Sequence, residues 1–397
     1  MSAPQGEISM TSNDSTYPAA RAVTTGPRHH FFGYYDKFPW NKSGRYLLGL
    51  ETTFIDRPPT PDDCATIGLI DLADNNRWIP LAETLAWNWQ QGSMLQWLPT
   101  EPDRLIIYNY RDDDQFVSVI REVHTGESRT LPLPIYAVSR DGKSAVSLNF
   151  ARLHQTRPGY GYVGLPDPYE DELHPDGDGI YWMDLNTGEH KLIISLAQIV
   201  SIRHAPDMDN AKHWFNHMLF NLDDTRFLFL HRWRRPDGGR WTRMFTAKLD
   251  GSDIYCVADH EMTSHFDWRN PSQILAWARQ HDIGDRYFLF TDQTNEVEIV
   301  GEGILITDGH CSYSPDGRWI LTDTYPDRER MRTLILYRPS DGYRVDIGRF
   351  FAPKELDGEI RCDLHPRWSR DGQQVCIDSV HEGHRQMYVL DVGKIVR

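Results

Sequence analysis

The chain has 397 residues, is 40% hydrophobic and 25% charged, and carries a formal net charge of −15. That balance argues against nucleic acid as a partner. No apolar run reaches membrane length and no apolar segment follows Met1, so the sequence predicts neither a membrane span nor a secretory leader and points to the cytoplasm.

Residues 1–25 are polar and predict a flexible tail, or a strand added late to close a ring. From residue 26 to 397 one phrase recurs, a turn followed by an apolar strand, and predicts a single domain. Its first copies are Asn41-Lys-Ser-Gly before Tyr46-Leu-Leu-Gly-Leu, Thr100-Glu-Pro-Asp before Leu105-Ile-Ile-Tyr, and Ser139-Arg-Asp-Gly before Ser144-Ala-Val-Ser-Leu. Four more follow, at Asn221-Leu-Asp-Asp, Arg269-Asn-Pro-Ser, Ser314-Pro-Asp-Gly and Ser369-Arg-Asp-Gly. Second strands such as Ile180-Tyr-Trp-Met-Asp and Met387-Tyr-Val-Leu-Asp complete the units. Seven units of roughly 40–50 residues, each a run of short strands, predict an all-β, seven-bladed β-propeller. Alternating apolar and polar positions around Asp-Gly turns support antiparallel hairpins. A β-sandwich does not require equal phrases at blade-like spacing. Two longer gaps, 152–178 and 198–216, predict loops on one face, with short helices around Ser195–Ile199 or Asp207–Trp214.

The last four copies open with histidines: His217-Met-Leu-Phe-Asn, His265-Phe-Asp-Trp-Arg, His310-Cys-Ser-Tyr-Ser and His365-Pro-Arg-Trp-Ser. A repeat puts equivalent residues at equivalent places. The four imidazoles are therefore expected just before the innermost strands, around one channel mouth, as a metal site, a proton-transfer site or both. Asp363 lies two residues before His365, and Asp267 two after His265; such pairs share a face of an extended segment. Mixed histidine and carboxylate ligands suit manganese, zinc or iron better than a soft-metal site. The other blades offer Phe31-Phe-Gly-Tyr-Tyr-Asp, with Tyr34 or Tyr35 as an acid, and Trp89-Gln-Gln-Gly, with Gln90 and Gln91 on the same rim.

Five scattered cysteines without a Cys-x-x-Cys pair give neither a disulfide framework nor a zinc knuckle. Aromatic residues in loop-like phrases, Tyr160 among them, suit sugar rings or blade packing. Arg232 and Arg203 could meet an acidic group despite the negative total, because salt screens charges beyond about 8 Å. Neither a Gly-x-Ser-x-Gly elbow nor a P-loop is present.

The histidine-led phrases, from about Phe215 to the C-terminus, resemble the oligogalacturonate lyases, seven-bladed propellers related to TolB-type repeats. The nearest match is Asp363-Leu-His365-Pro-Arg-Trp-Ser-Arg-Asp-Gly. The resemblance implies a base at His217 and manganese held by His265 and His365. Where the family has a second histidine this chain has Asp363, and a family glutamine falls near Ile360 without a counterpart. The N-terminal phrases depart from those lyases, which implies another uronate-containing glycan.

The expected function is metal-assisted β-elimination at a uronic acid of an acidic oligosaccharide or polysaccharide. In this reading His217 is the base and Tyr35 a proton donor. The metal set is His265, His310, His365 and Asp363. Arg232 or Arg203 holds the carboxylate, with Gln90, Gln91 and Tyr160 contacting sugar. The rivals are a propeller that only binds a protein or glycan, and a glycoside hydrolase on the same scaffold.

Overall fold

Each turn phrase reverses the chain between the first and second strands of a four-stranded antiparallel sheet. The computed structural model describes residues 17–397. Among these residues the strands form seven such sheets, arranged as a seven-bladed β-propeller. Blades one to three begin at His29–Phe31, Gln96–Trp97 and Ala137–Val138; blades four to six begin at His213–Phe220, Thr263–Asn270 and Ser312–Tyr313. Blade seven joins both ends of the chain. Arg367–Trp368, Gln374–Ser379 and Gln386–Asp391 are completed by Arg21–Ala22, whose residues pair with Val389 and Tyr388. The strand-closure expectation for the N-terminal stretch thus has a structural counterpart at Arg21–Ala22, and residues 1–16 lie outside the described residues.

The turns repeat because one hydrogen-bond pattern repeats. Ser139, Ser314 and Ser369 each donate a hydroxyl to the aspartate two residues on, at 2.7, 2.6 and 2.6 Å. The glycine that follows takes a positive φ near 70° in all three, the region that favours glycine.

Strict alternation fails in the second strands. Arg226–Arg234 is buried at every position but the last, and Gln374–Ser379 at every position but the first. A propeller packs both faces of each blade against neighbours, so its middle strands read as continuous apolar runs. Each fully buried Leu or Phe contributes about 1.5–3 kcal/mol there.

The two long gaps form loops with short helices. Leu196–Ser201 is a helix capped by Ser195, whose hydroxyl accepts from Gln198 N at 3.0 Å. The expected helix at Asp207–Trp214 is only a single 3-10 turn, Pro206–Met208, before the chain enters blade four at His213. A further helix, Phe150–Thr156, is capped by Asn149, which accepts from Arg152 N at 3.0 Å. Buried Arg152 binds Asp167 and four backbone carbonyls, fastening this insertion to blade four. No helix among the described residues is long and apolar enough to cross a membrane.

Candidate metal and acid-base site

The four repeat histidines converge. The ring centroids of His265 and His310 are 4.1 Å apart, and those of His310 and His365 are 4.4 Å apart. Tyr34 bridges the group, stacking on His217 at 5.1 Å and meeting His365 edge-on at 5.1 Å. His310 and His365 precede their innermost strands, as the register predicts. His217 and His265 lie inside longer strands, at irregularities between Asn216 and Met218 and between Thr263 and Phe266. A bulge re-aims a side chain. His217 and His365 also adopt positive φ values of 49° and 41°, a strained backbone for a residue with a Cβ.

Two of the imidazoles are held by carboxylates through Nδ1. His265 Nδ1 lies 2.9 Å from Asp308 Oδ1, and His310 Nδ1 lies 2.9 and 3.1 Å from the two oxygens of Asp323. Asp323 also accepts His310 N at 2.8 Å, which fixes the ring's position. A carboxylate on Nδ1 leaves Nε2 as a free lone pair, the arrangement that supports metal-binding histidines. His310 Nε2 and His365 Nε2 are buried without a hydrogen-bond partner. Ligand atoms of His310, Asp363 and His365 all lie within 4.8 Å of one another. Two orphaned nitrogens and a carboxylate at that spacing fit a divalent cation of the manganese, zinc or iron type. His265 adjoins this trio through His310 without belonging to it.

Asp363 has other partners. Arg361 Nε donates to Oδ2 at 2.7 Å, and Arg332 Nη2 approaches Oδ1 at 2.7 Å but off the hydrogen-bond direction. Burial pushes the Asp363 carboxyl up, yet the two guanidinium groups outweigh it and keep it well below the usual carboxylate range. It is therefore an anion, as a metal ligand must be. Burial drives His365 well below its ordinary value, with His310 adding to the effect. Burial also pulls His310 down, but Asp323 more than compensates and raises it.

His217 has a separate environment. Its Nδ1 is 3.2 Å from Tyr136 Oη and 3.3 Å from Gln91 Nε2, and its Nε2 is 3.4 Å from Tyr34 Oη. Burial, then the charge of Arg232, hold the imidazole well below its ordinary value, so it is neutral. As placed, Gln91 Nε2 and the Tyr136 hydroxyl can both donate to Nδ1; turning the Gln91 amide over presents Oε1 to Nδ1–H instead, and that tautomer leaves Nε2 as the basic atom. Two glycines bring Tyr34 and Gln91 together. A Cβ on Gly33 would lie 2.8 Å from the Gln91 carbonyl carbon, and one on Gly92 would lie 2.9 Å from Phe32 O. Both have positive φ, so these two loops can touch only through glycine.

Arg232 stands beside His217 as a buried cation. Its Nη2 reaches Thr263 O at 3.5 Å, while Nε and Nη1 have no partner and no carboxylate pairs with it among the described residues. Tyr160 meets His217 edge-on at 5.5 Å, and its hydroxyl accepts from Arg361 Nη2 at 2.8 Å. Burial pushes this phenol up, but Arg361 and Arg157 together bring it down to about 8.

Four residues do not take the places or contacts expected of them. Arg203 is exposed in the 198–216 insertion, and its carbonyl accepts from Arg243 Nη1 of blade four at 3.3 Å. Tyr35 is buried near His265 and His310, but its hydroxyl is spent on the Phe266 backbone, donating to O and accepting from N at 2.9 Å each; Tyr34 carries the free contact with His217. Gln90 points away from Gln91 and donates to Glu359 O and Arg361 O at 2.9 and 3.1 Å, steadying the loop that carries Arg361. Asp267 does not share a cation with His265 either. It accepts from Tyr313 N and Trp268 N at 2.7 and 2.8 Å, because the bulge at Phe266 breaks the i, i+2 alignment.

Asp308, Asp323, Tyr136, Arg332 and Arg361 were not anticipated from sequence. Only Asp308 carried a signal: Asp308-Gly-His310 repeats the spacing of Asp363-Leu-His365.

No family model and no curated sequence matches the chain. Solved structures do match. An oligogalacturonate lyase in complex with manganese aligns over 95% of this chain and 94% of its own, at 16% identity and a TM-score of 0.67. The oligogalacturonate lyase of Vibrio parahaemolyticus aligns over 94% of this chain and 93% of its own, at 14% identity and a TM-score of 0.65. The tricorn protease aligns over 94% of this chain but 35% of its own, at 11% identity and a TM-score of 0.53. At these identities the likeness is one of fold, and it agrees with the resemblance carried by the histidine-led phrases.

Proposed function

We propose that the protein is a metal-assisted lyase that performs β-elimination at a uronic acid residue of an acidic glycan. The observation that carries this reading is the pair of buried, partnerless Nε2 atoms on His310 and His365, set beside a neutral His217 and an unpaired Arg232. His310, His365 and Asp363, with His265 adjoining, would hold the cation, with manganese favoured by the manganese-bound structure of similar fold. When bound, the cation supplies a Lewis acid that withdraws charge from the uronate carboxylate and so acidifies the proton at C5.

The chain's own residues supply the rest. Arg232 offers its free N–H groups to the same carboxylate, a charge-assisted contact in a water-poor site. His217 takes the C5 proton at Nε2; Gln91, with its amide turned so that Oε1 accepts from Nδ1–H, would hold the tautomer that makes this atom basic. The Tyr34 hydroxyl, 3.4 Å from Nε2, lies where a proton can pass toward the departing C4 oxygen. Burial holds Tyr34 well above its ordinary value, so it remains a proton donor. The balance is simple: the C5–H and C4–O bonds break, a C4–C5 double bond forms, and the proton leaves with the released sugar.

The test is incubation of manganese-loaded protein with uronate glycans, followed through the ultraviolet absorbance of the unsaturated product. A rise in absorbance that His217→Ala abolishes, with metal content unchanged, supports the assignment. Chain cleavage without the chromophore would make the protein a hydrolase instead.

A further inference from the structure

Blade four carries positive charge that no described residue neutralises. Arg232 and Arg234 are two residues apart on the strand Arg226–Arg234 and so share a face. Arg240, on the next strand, is the direct cross-strand partner of Arg234. Arg157, from the 152–178 insertion, faces the same group and packs its guanidinium 4.8 Å over the Tyr160 ring. None of these four arginines forms an ion pair with any described residue, whereas neighbouring Arg235 reaches Asp207, Asp237 and Glu261.

Their nitrogens are also unsatisfied. Arg232 leaves Nε and Nη1 without a partner, and Arg157 and Arg240 each leave Nε without one. Arg234 makes a single long contact, 3.4 Å to Thr156 O. Like charges directly opposite in a sheet repel, and a buried guanidinium without a counter-ion is costly. In a chain whose net charge is −15, such a cluster is a local choice against the general composition. The partner these nitrogens lack among the described residues is an anion. Arg232 alone answers a single carboxylate. Arg234, Arg240 and Arg157 extend the charge outward along the hairpin, by about 7 Å for the two-residue step from Arg232 to Arg234.

We propose that Arg157, Arg234 and Arg240 form a second anion subsite, which takes a carboxylate or sulfate ester on the sugar flanking the residue held at Arg232. The subsite rests on the lyase reading only for its neighbour; its own claim is that the glycan carries anions on adjoining sugars. It makes the hairpin of blade four a specificity element separate from the metal ligands. Trp233 and Trp241, stacked at 5.8 Å on the same hairpin, place a fluorescent reporter beside it.

The test is titration of tryptophan fluorescence and heat in chelator, so that binding is read without metal or turnover. The probes are an oligogalacturonate, a sulfated galactan oligosaccharide without uronate, and a dextran oligosaccharide of equal length. The expected result is binding of an anionic probe that weakens with added salt, no binding of dextran, and a loss of about ten-fold or more in Arg234→Gln/Arg240→Gln. Arg234→Gln alone, at an exposed position, gives part of the loss and guards against a folding defect, which circular dichroism monitors. Preference for oligogalacturonate identifies a carboxylate at the subsite, and preference for the galactan identifies a sulfate; both support it. Equal affinity of wild type and double variant, equal binding of dextran, or no binding of either anionic probe overturns it. If anionic probes bind through these arginines and no unsaturated product forms with any glycan, the lyase reading fails and the subsite stands. If product forms and the variants match wild type, only the subsite fails.

Discussion

Asp323→Asn separates a metal-orienting carboxylate from a merely structural one. Asp323 grips His310 at three points: Nδ1 at 2.9 and 3.1 Å and the backbone N at 2.8 Å. Asparagine keeps the shape and one acceptor oxygen, so the backbone contact survives. It removes the charge that makes His310 a stronger ligand and the second oxygen that fixes its ring. Loss of such an outer carboxylate weakens metal binding about 10- to 100-fold, which is about 1.4–2.7 kcal/mol. The same loss is visible in melting. At a free manganese concentration of 100 times the wild-type Kd, the ion stabilises the fold by about 2.7 kcal/mol. At that concentration the variant would retain about 1.4 kcal/mol for a ten-fold loss and about 0.4 kcal/mol for a hundred-fold loss. The assay is calorimetric titration of manganese into chelator-treated protein at mildly alkaline pH, paired with melting curves with and without the ion. An unchanged Kd in Asp323→Asn would refute the idea that this carboxylate tunes a ligand. An unchanged Kd in His365→Ala as well would remove the metal from this cluster altogether.

Other outcomes follow from particular contacts. Tyr35→Phe strands the N–H and C=O of buried Phe266 and should cost about 1–3 kcal/mol in denaturant melts; Tyr34→Phe should leave stability nearly unchanged and slow turnover. Equal melting of the two variants would contradict this. Asp378 takes Arg367 at 2.7 and 3.1 Å and also the N–H groups of Phe32 and Gly33, so Asp378→Ala leaves a buried guanidinium unpaired and should cost about 3–5 kcal/mol; a loss below 1 kcal/mol, roughly, would place that ion pair near solvent instead. His213 and His231 share a 2.9 Å hydrogen bond in the core, and burial brings His213 down to about 4. The unfolded chain then binds the proton first. Stability is full above about pH 6.5 and is lost as pH falls toward 4, by about 3 kcal/mol for His213. His213→Gln should flatten that slope, and an unaltered slope would assign the acid sensitivity to other groups.

The fold was legible because local chemistry repeats along the chain. A serine, an aspartate and a glycine close the same turn in three blades, and the apolar run after each turn marks the strand buried on both faces. The register of the four histidines was legible for the same reason, since matched positions in a propeller converge on its axis. The choice between neighbours was not. Tyr34 and Tyr35 are adjacent in sequence, and only the packing of Phe266 decides which hydroxyl is free. Gln90 and Gln91 divide likewise, one toward a loop and one toward His217. Arg203 and Arg232 looked equivalent as charges, but an insertion carries one outward and a strand carries the other inward.

The sequence by itself determined a ring of seven units and the convergence of four imidazoles, because both depend on periodicity, which is a local property. The tertiary structure alone decided which carboxylates hold those imidazoles, which tyrosine meets His217, and that Arg232 has no counter-ion among the described residues. Asp323 reaches His310 through strand pairing across 13 residues, and Asp308 serves the histidine of the preceding blade rather than the one it precedes in sequence. Contacts of that kind are set by blade-to-blade packing, where distance in space is unrelated to distance along the chain.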